Sequence, residues 1–233
     1  MQKGTICNCI WEITDDKVLV ISPIKGTDGK LEVQPADSRP WVNSDIRKVI
    51  ITDGVTAGSN LSRMFADCHQ LTDITSLEKL DVSRVENMSL MFDGCHSLSD
   101  ITSLAAWNVG GAARDMYSMF SECHSLADIS PLAKWDGKNV EIMVGMFSGC
   151  NSLTDISPLA KWDVSNVRSL SYMFFGCHKL KDIMCLQEWN VSSAEYMTFM
   201  FSKNVQRTNG SLPARWNIHN ADIASRIFCD SLL

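Results

Sequence analysis

A Met-Phe pair recurs along this chain at Met64-Phe65, Met91-Phe92, Met119-Phe120, Met146-Phe147, Met173-Phe174 and Met200-Phe201, in steps of 27, 28, 27, 27 and 27 residues. A weaker copy, Ile227-Phe228, follows after another 27. A fixed period in this range is the mark of stacked supersecondary units, each burying its apolar side against its neighbours. The period therefore predicts one elongated repeat domain. It also disfavours a unique catalytic centre, because whatever one repeat offers, the next offers again.

One unit is well represented by residues 153–177, LTDISPLAKWDVSNVRSLSYMFFGC. Its apolar positions, among them Leu153, Ile156, Leu159, Trp162, Val164, Val167, Leu170, Met173, Phe174 and Cys177, are mostly three apart. That spacing fits neither a long amphipathic helix nor an alternating strand. It suits a coil that turns several corners and points one side chain inward at each. Within the unit, Leu153–Ile156 and its equivalents Leu71–Ile74, Leu98–Ile101, Leu126–Ile129 and Leu180–Ile183 are expected to be short strands, ended in two cases by Pro131 and Pro158. The offsets of three and four from Val167 to Cys177 predict one or two helical turns. Ser165 or Asn166 would cap their start, and Gly94, Gly149 and Gly176 would suit their ends. Strand on one side and helix on the other, repeated in one direction, predicts a parallel sheet along one face of the stack.

Several side chains form columns, one per repeat. Cys68, Cys95, Cys123, Cys150 and Cys177 each follow the repeat methionine by four residues. Stacked coils lie ~4.8 Å apart, whereas disulfide-linked Cβ atoms lie ~3.8 Å apart, so these are expected to be buried free thiols. Trp107, Trp135, Trp162, Trp189 and Trp216 suit either a sugar-stacking platform or, as expected here, corner packing with each indole N–H bonded to a loop carbonyl. Beside them, Asp81, Asn108, Asp136, Asp163, Asn190 and Asn217 are expected to satisfy corner amides. His69, His96, His124 and His178 each follow a repeat cysteine, but adjacent residues rarely point the same way and no metal-ligand spacing is present. Metal binding and Cys-His catalysis are therefore disfavoured, and the imidazoles are expected near the surface.

The columns that carry a binding expectation are acidic and hydroxylic. Asp73, Asp100, Asp128, Asp155 and Asp182 each precede an inward isoleucine, and in a strand would face outward. Their neighbours Thr75, Thr102, Ser130 and Ser157 would complete a stripe. Two readings stand: carboxylates bonding nearby hydroxyl or amide groups, or a surface for a basic peptide, a cation or sugar hydroxyls. No calcium-repeat spacing is present.

Residues 1–57 lack the repeat and are expected to form a β-rich N-terminal cap, with strands in WEITDDKVLVISP, KLEVQP and RKVIITDGV. Residues 58–233 are expected to hold about six coils and a degenerate C-terminal capping repeat, in which Arg207-Thr208-Asn209-Gly210 replaces the strand pattern and Asn204 the cysteine. The net charge of -6 comes without a basic stretch, which disfavours a nucleic-acid partner. No apolar run reaches the ~20 residues that span a bilayer, so no membrane insertion is expected. The N-terminus lacks the shape of a signal peptide, which predicts a cytosolic chain or one whose leader has been removed.

The pattern V-x-x-M-x-x-M-F-x-x-C-x-x-L-x-x-I followed by W-[DN]-V-S-x-V resembles the BspA-like repeats of bacterial surface proteins, a branch of the leucine-rich repeats with a Met-Phe variant in mycoplasma and gut-bacterial surface proteins. The stretch from Gly4 through Trp11 to Pro23 resembles the block that often opens such arrays. The resemblance implies an α/β, leucine-rich-repeat-like right-handed solenoid with an N-terminal β cap, found at the cell surface or secreted, with a role in adhesion or host contact. The expected function is thus a non-enzymatic binding module for a protein or glycan, without a cofactor. An intracellular protein-interaction scaffold of the same fold is the alternative.

Overall fold

A computed structural model describes residues 2–34, 39, 41–42, 44–204, 212–216, 218 and 226–228. Among the described residues of the first 57 there are six strands: β1 (Gln2–Ile6), β2 (Cys9–Ile13), β3 (Val18–Pro23), β4 (Lys30–Leu31), β5 (Lys48–Ile51) and β6 (Thr56–Ala57). β1, β2 and β3 form an antiparallel meander, and β5 joins β3 in parallel to give the order β1-β2-β3-β5; β4 pairs with β6. The alternation expected of a half-buried strand is plain in β2, where Cys9, Trp11 and Ile13 are buried and Ile10 between them is 44% exposed. β1 carries too little apolar alternation to be read as a strand from its sequence.

The repeats continue from this sheet without a break in hydrogen bonding. The Val49 N–H donates to the Asp73 carbonyl at 2.9 Å, and Lys48 bridges Asp73 in parallel. Thereafter parallel bridges run Asn60–Asn87–Asp115–Ile142–Ser169–Tyr196, one link per repeat. Within each repeat, amides two residues apart donate to the next: from the first coil, Leu61 to Asn87, Arg63 to Ser89, Phe65 to Met91 and Asp67 to Asp93. The phenylalanines stand one above another. Phe65, Phe92, Phe120, Phe147, Phe174 and Phe201 are each at most 1% exposed, with successive ring centroids 5.4–5.7 Å apart. Phe228 continues the column 5.8 Å from Phe201, so the Ile227-Phe228 copy does belong to the repeat. This is a repeat fold, with an aromatic ladder and regularly spaced short helices.

Those helices are not where the apolar spacing placed them. The segments expected to be strands lead into 3₁₀ helices at Thr75–Lys79, Thr102–Ala106, Ser130–Lys134, Ser157–Leu159 and Met184–Leu186. The isoleucines before the first four have φ from -119° to -112° and ψ of 13–22°, outside the β region. The cause is local: each preceding aspartate accepts the amide two residues ahead and bends the chain into a turn. Pro131 and Pro158 do not end strands; they sit in the first turn of a 3₁₀ helix, where no amide partner is needed.

The segment expected to be helical, Val167–Cys177, is instead a run of turns. Tyr172 has φ +59° and Gly176 +69°, values that no α-helix accommodates. The same two positions are left-handed in other coils, at Arg63, Leu90, Ser118, Gly145 and Phe199, and at Asp67, Gly94, Glu122, Gly149 and Lys203. The turns leave amides pointing along the stack, where the neighbouring coil accepts them. The glycines expected as helix ends are therefore turn residues, and Asn166 reaches back to the Lys138 carbonyl at 2.7 Å. Arg207–Gly210, Asn217 and Cys229 lie outside the described residues.

Candidate functional site

The aspartate column sits at the entrance to the 3₁₀ helices. Oδ1 of Asp73, Asp100, Asp128, Asp155 and Asp182 accepts the amide of Thr75, Thr102, Ser130, Ser157 and Met184 at 2.7–3.0 Å. Oδ2 of Asp128 and Asp155 also accepts the hydroxyl of Ser130 and Ser157, at 3.0 and 2.8 Å. The nine sequence-predicted residues are thus brought together, four carboxylates and all four hydroxyl residues exposed and Asp73 partly covered, but on a row of turns rather than on a strand face. Asp73, Thr75, Asp100 and Thr102 line a cleft of about 340 Å³. Asp73 already holds a cation: Lys48 Nζ lies 2.8 Å from its Oδ2. Lys48, followed by the amide of Thr75, lowers the Asp73 carboxyl to about 2. Thr102 holds Asp100 below the usual range.

The neighbouring polar column does a related job. Asp81, Asp136, Asp163 and Asn190 accept the amides of Ser83, Lys138, Ser165 and Ser192 at 2.9–3.2 Å. The tryptophans are packing residues. Trp107, Trp135, Trp162, Trp189 and Trp216 are at most 5% exposed. Each indole donates to a 3₁₀-helix leucine carbonyl one coil earlier, at 2.8–3.1 Å. Buried edges of this kind leave no face for a sugar ring.

Cysteine and histidine point apart, as expected of adjacent residues. The described cysteines are free. Cys95, Cys123, Cys150 and Cys177 donate their thiols to the carbonyls of Phe65, Phe92, Phe120 and Phe147 at 3.1–3.2 Å. Burial pushes the Cys68 and Cys177 thiols up to about 12 and the three between them well above the usual range. A thiolate nucleophile is therefore suppressed in every coil. The imidazoles form a stack that sequence reading missed. His69 and His96 are 4.4 Å apart and His96 and His124 are 4.6 Å apart, with the planes within 8°. Nδ1 of His69 and His124 lies 2.8 and 3.0 Å from the carbonyl oxygens of Gly94 and Gly149. Among the described residues no three His, Cys, Asp or Glu side chains converge as metal ligands.

A second face was also missed. Before the ladder residues runs the column Glu86, Arg114, Glu141, Arg168 and Glu195, alternating in sign at steps of 28, 27, 27 and 27 residues. Arg114, Glu141, Arg168 and Glu195 line a cleft of about 590 Å³ with Asn139, Asn166 and Ser193. Close to the column in sequence, Tyr196 (60% exposed), Tyr117 (42%) and Ile142 (39%) are exposed. The signal lay in the sequence, but a search for the same residue type in every repeat passes over a column that alternates.

The family described as "Mycoplasma protein of unknown function, DUF285" matches residues 59–158 and 154–232. The chain belongs to that family. Its solved structural relatives are remote. A leucine-rich repeat protein of T. pallidum is 14% identical over 89% of this chain and 92% of that one, with a TM-score of 0.38. A leucine-rich cell surface protein of Faecalibacterium prausnitzii A2-165 is 13% identical over 100% and 99%, with a TM-score of 0.20. A leucine-rich repeat protein of Eubacterium ventriosum ATCC 27560 is 14% identical over 90% and 90%, with a TM-score of 0.22. Superpositions this loose carry no argument about the present chain. None of the curated proteins matches it. No helix among the described residues is long and apolar enough to cross a membrane.

Proposed function

We propose that this protein is a non-enzymatic binding module of the BspA-like kind, a right-handed leucine-rich-repeat solenoid with residues 1–57 as its cap, displayed at the cell surface and engaging a protein or glycan. The observation that carries the reading is the carboxylate row, above all Asp73 with Lys48 seated on it at 2.8 Å. That pair is an internal copy of the interaction that Asp100, Asp128 and Asp155 offer outward, since among the described residues none of the three has an ion pair. Affinity in such a row comes from several weak contacts summed over coils. The suppressed thiols and the repetition of the cysteine, tryptophan and aspartate columns support the absence of catalysis, which needs an asymmetric set of nucleophile, base and donors.

The test is a glycan and host-protein array probed with the wild type and with Asp100→Asn/Asp128→Asn/Asp155→Asn. At least tenfold weaker binding of the variant to any ligand found supports the carboxylate row. Unchanged binding removes the row from the site. An intracellular scaffold is the second reading, favoured by the exposed free thiol of Cys7, which an oxidising compartment would put at risk.

A further inference from the structure

The alternating column is complementary to a reversed copy of itself. Arg114, Arg168, Glu86 and Glu195 are exposed and Glu141 is half-buried. Of the four neighbouring couples of opposite sign, Arg114–Glu141 closes, at 3.5 Å. The other three couples form no ion pair among the described residues. Glu86, Arg168 and Glu195 therefore have no ion-pair partner among the described residues.

We propose that this face joins a second copy of the chain across a two-fold axis. An isologous contact brings each residue opposite a residue of the same column. With the axis between Glu141 and Arg168, one copy's Arg114 meets the other's Glu195 and its Glu141 meets the other's Arg168, and the reverse. All four couples then have opposite signs. Without the one-step shift, Arg114 would meet Arg168 and Glu141 would meet Glu141, so the alternation also rejects a wrong register. The spacing matches because both columns are the same column. A shift the other way, about an axis between Arg114 and Glu141, also pairs opposite charges. It reuses the couple that is already closed and sets Glu195 opposite Ser59, which carries no charge. The first register sets Tyr196 against the Asp115 coil of the other copy and Tyr117 against the Thr198 coil. The inference does not depend on the carboxylate row, which lies at a different corner of the coil.

Two variants test it. Arg114→Glu/Arg168→Glu makes the four facing positions acidic; Glu141→Arg/Glu195→Arg makes them basic. Sedimentation velocity from about 1 to 200 µM at low salt is expected to show a wild-type dimer, weakened by 0.5 M NaCl through screening. Each variant alone is expected to be monomeric, with Kd raised at least tenfold and circular dichroism confirming the fold. The equimolar mixture of the two is expected to recover a heterodimer. A wild-type monomer across the whole range overturns the proposal. So does a mixture that stays monomeric while both variants are folded, and so does a monomeric wild type that loses an arrayed ligand on either charge change, which would assign the column to another occupant.

Discussion

The thiol of Cys150 donates to the carbonyl oxygen of Phe120, 3.2 Å away in the preceding coil. The same link recurs at Cys95, Cys123 and Cys177, so sulfur ties each coil to the one before it just where the aromatic ladder runs. Ionising such a thiol would remove the donor and bury a charge.

This makes stability fall in alkali. The folded thiols titrate far above the unfolded value, at about 12 for Cys68 and Cys177. Their contribution is fully present below about pH 8.5 and is lost as pH rises towards the folded value. Each thiol contributes a slope of up to about 1.4 kcal/mol per pH unit in that window. Urea melts at pH 7, 9 and 10 are expected to show this steepening, and Cys150→Ala is expected to reduce the slope by one thiol's share. Equal slopes in the two proteins would contradict it.

Left-handed turn positions predict paired effects of opposite sign. At Gly176 (φ +69°) an added Cβ would meet nothing closer than Gly149 at 4.0 Å, so only backbone strain opposes Gly176→Ala. The substitution is expected to cost about 1–2 kcal/mol. Glu122 occupies the equivalent turn at φ +57°, and Glu122→Gly is expected to gain up to about 1 kcal/mol. Denaturant unfolding reads both, and a neutral Gly176→Ala would show that the turn relaxes.

The histidine stack should sense mild acid. Burial lowers the His96 value, helped by the His69 and His124 rings on either side and opposed by Glu122 and Asp67. A depressed folded value means that stability is present above the unfolded pKa of about 6.5 and is lost as pH falls. Proton NMR is expected to give a His96 midpoint below 6.5. Replacing His96 by Asn, the residue this chain carries at the same place in Asn151, is expected to flatten the fall in melting temperature between pH 7.5 and 5. A midpoint above 6.5 would refute the account.

Asp73 predicts a separate, acidic loss. Its carboxyl, lowered by Lys48 to about 2, stabilises the fold above the unfolded value of about 3.9 and ceases to as pH falls towards the folded one. The side chain is 34% exposed, so water screening leaves about 1 kcal/mol or less. Lys48→Met is expected to lower stability by that amount at pH 6 and by clearly less at pH 2, by chemical denaturation. An equal loss at both values would assign the effect to packing.

What the sequence by itself determined is which residues share a column. The 27-residue step places Phe92, Phe120 and Phe147 in one ladder, the cysteines in another and the tryptophans in a third, because equivalent positions in a stacked repeat have equivalent neighbours. It also marked the carboxylate row as one surface feature. Only the tertiary structure decided what backbone joins those columns. Apolar spacing of three reads equally as helical turns or as corners of a coil, and the choice depends on where the amides find partners. Amides of the Met-Phe segment find theirs in the next coil, some 27 residues away in sequence, beyond the reach of a local pattern. Aspartates such as Asp155 take the nearby amides for themselves and turn an expected strand into the start of a 3₁₀ helix.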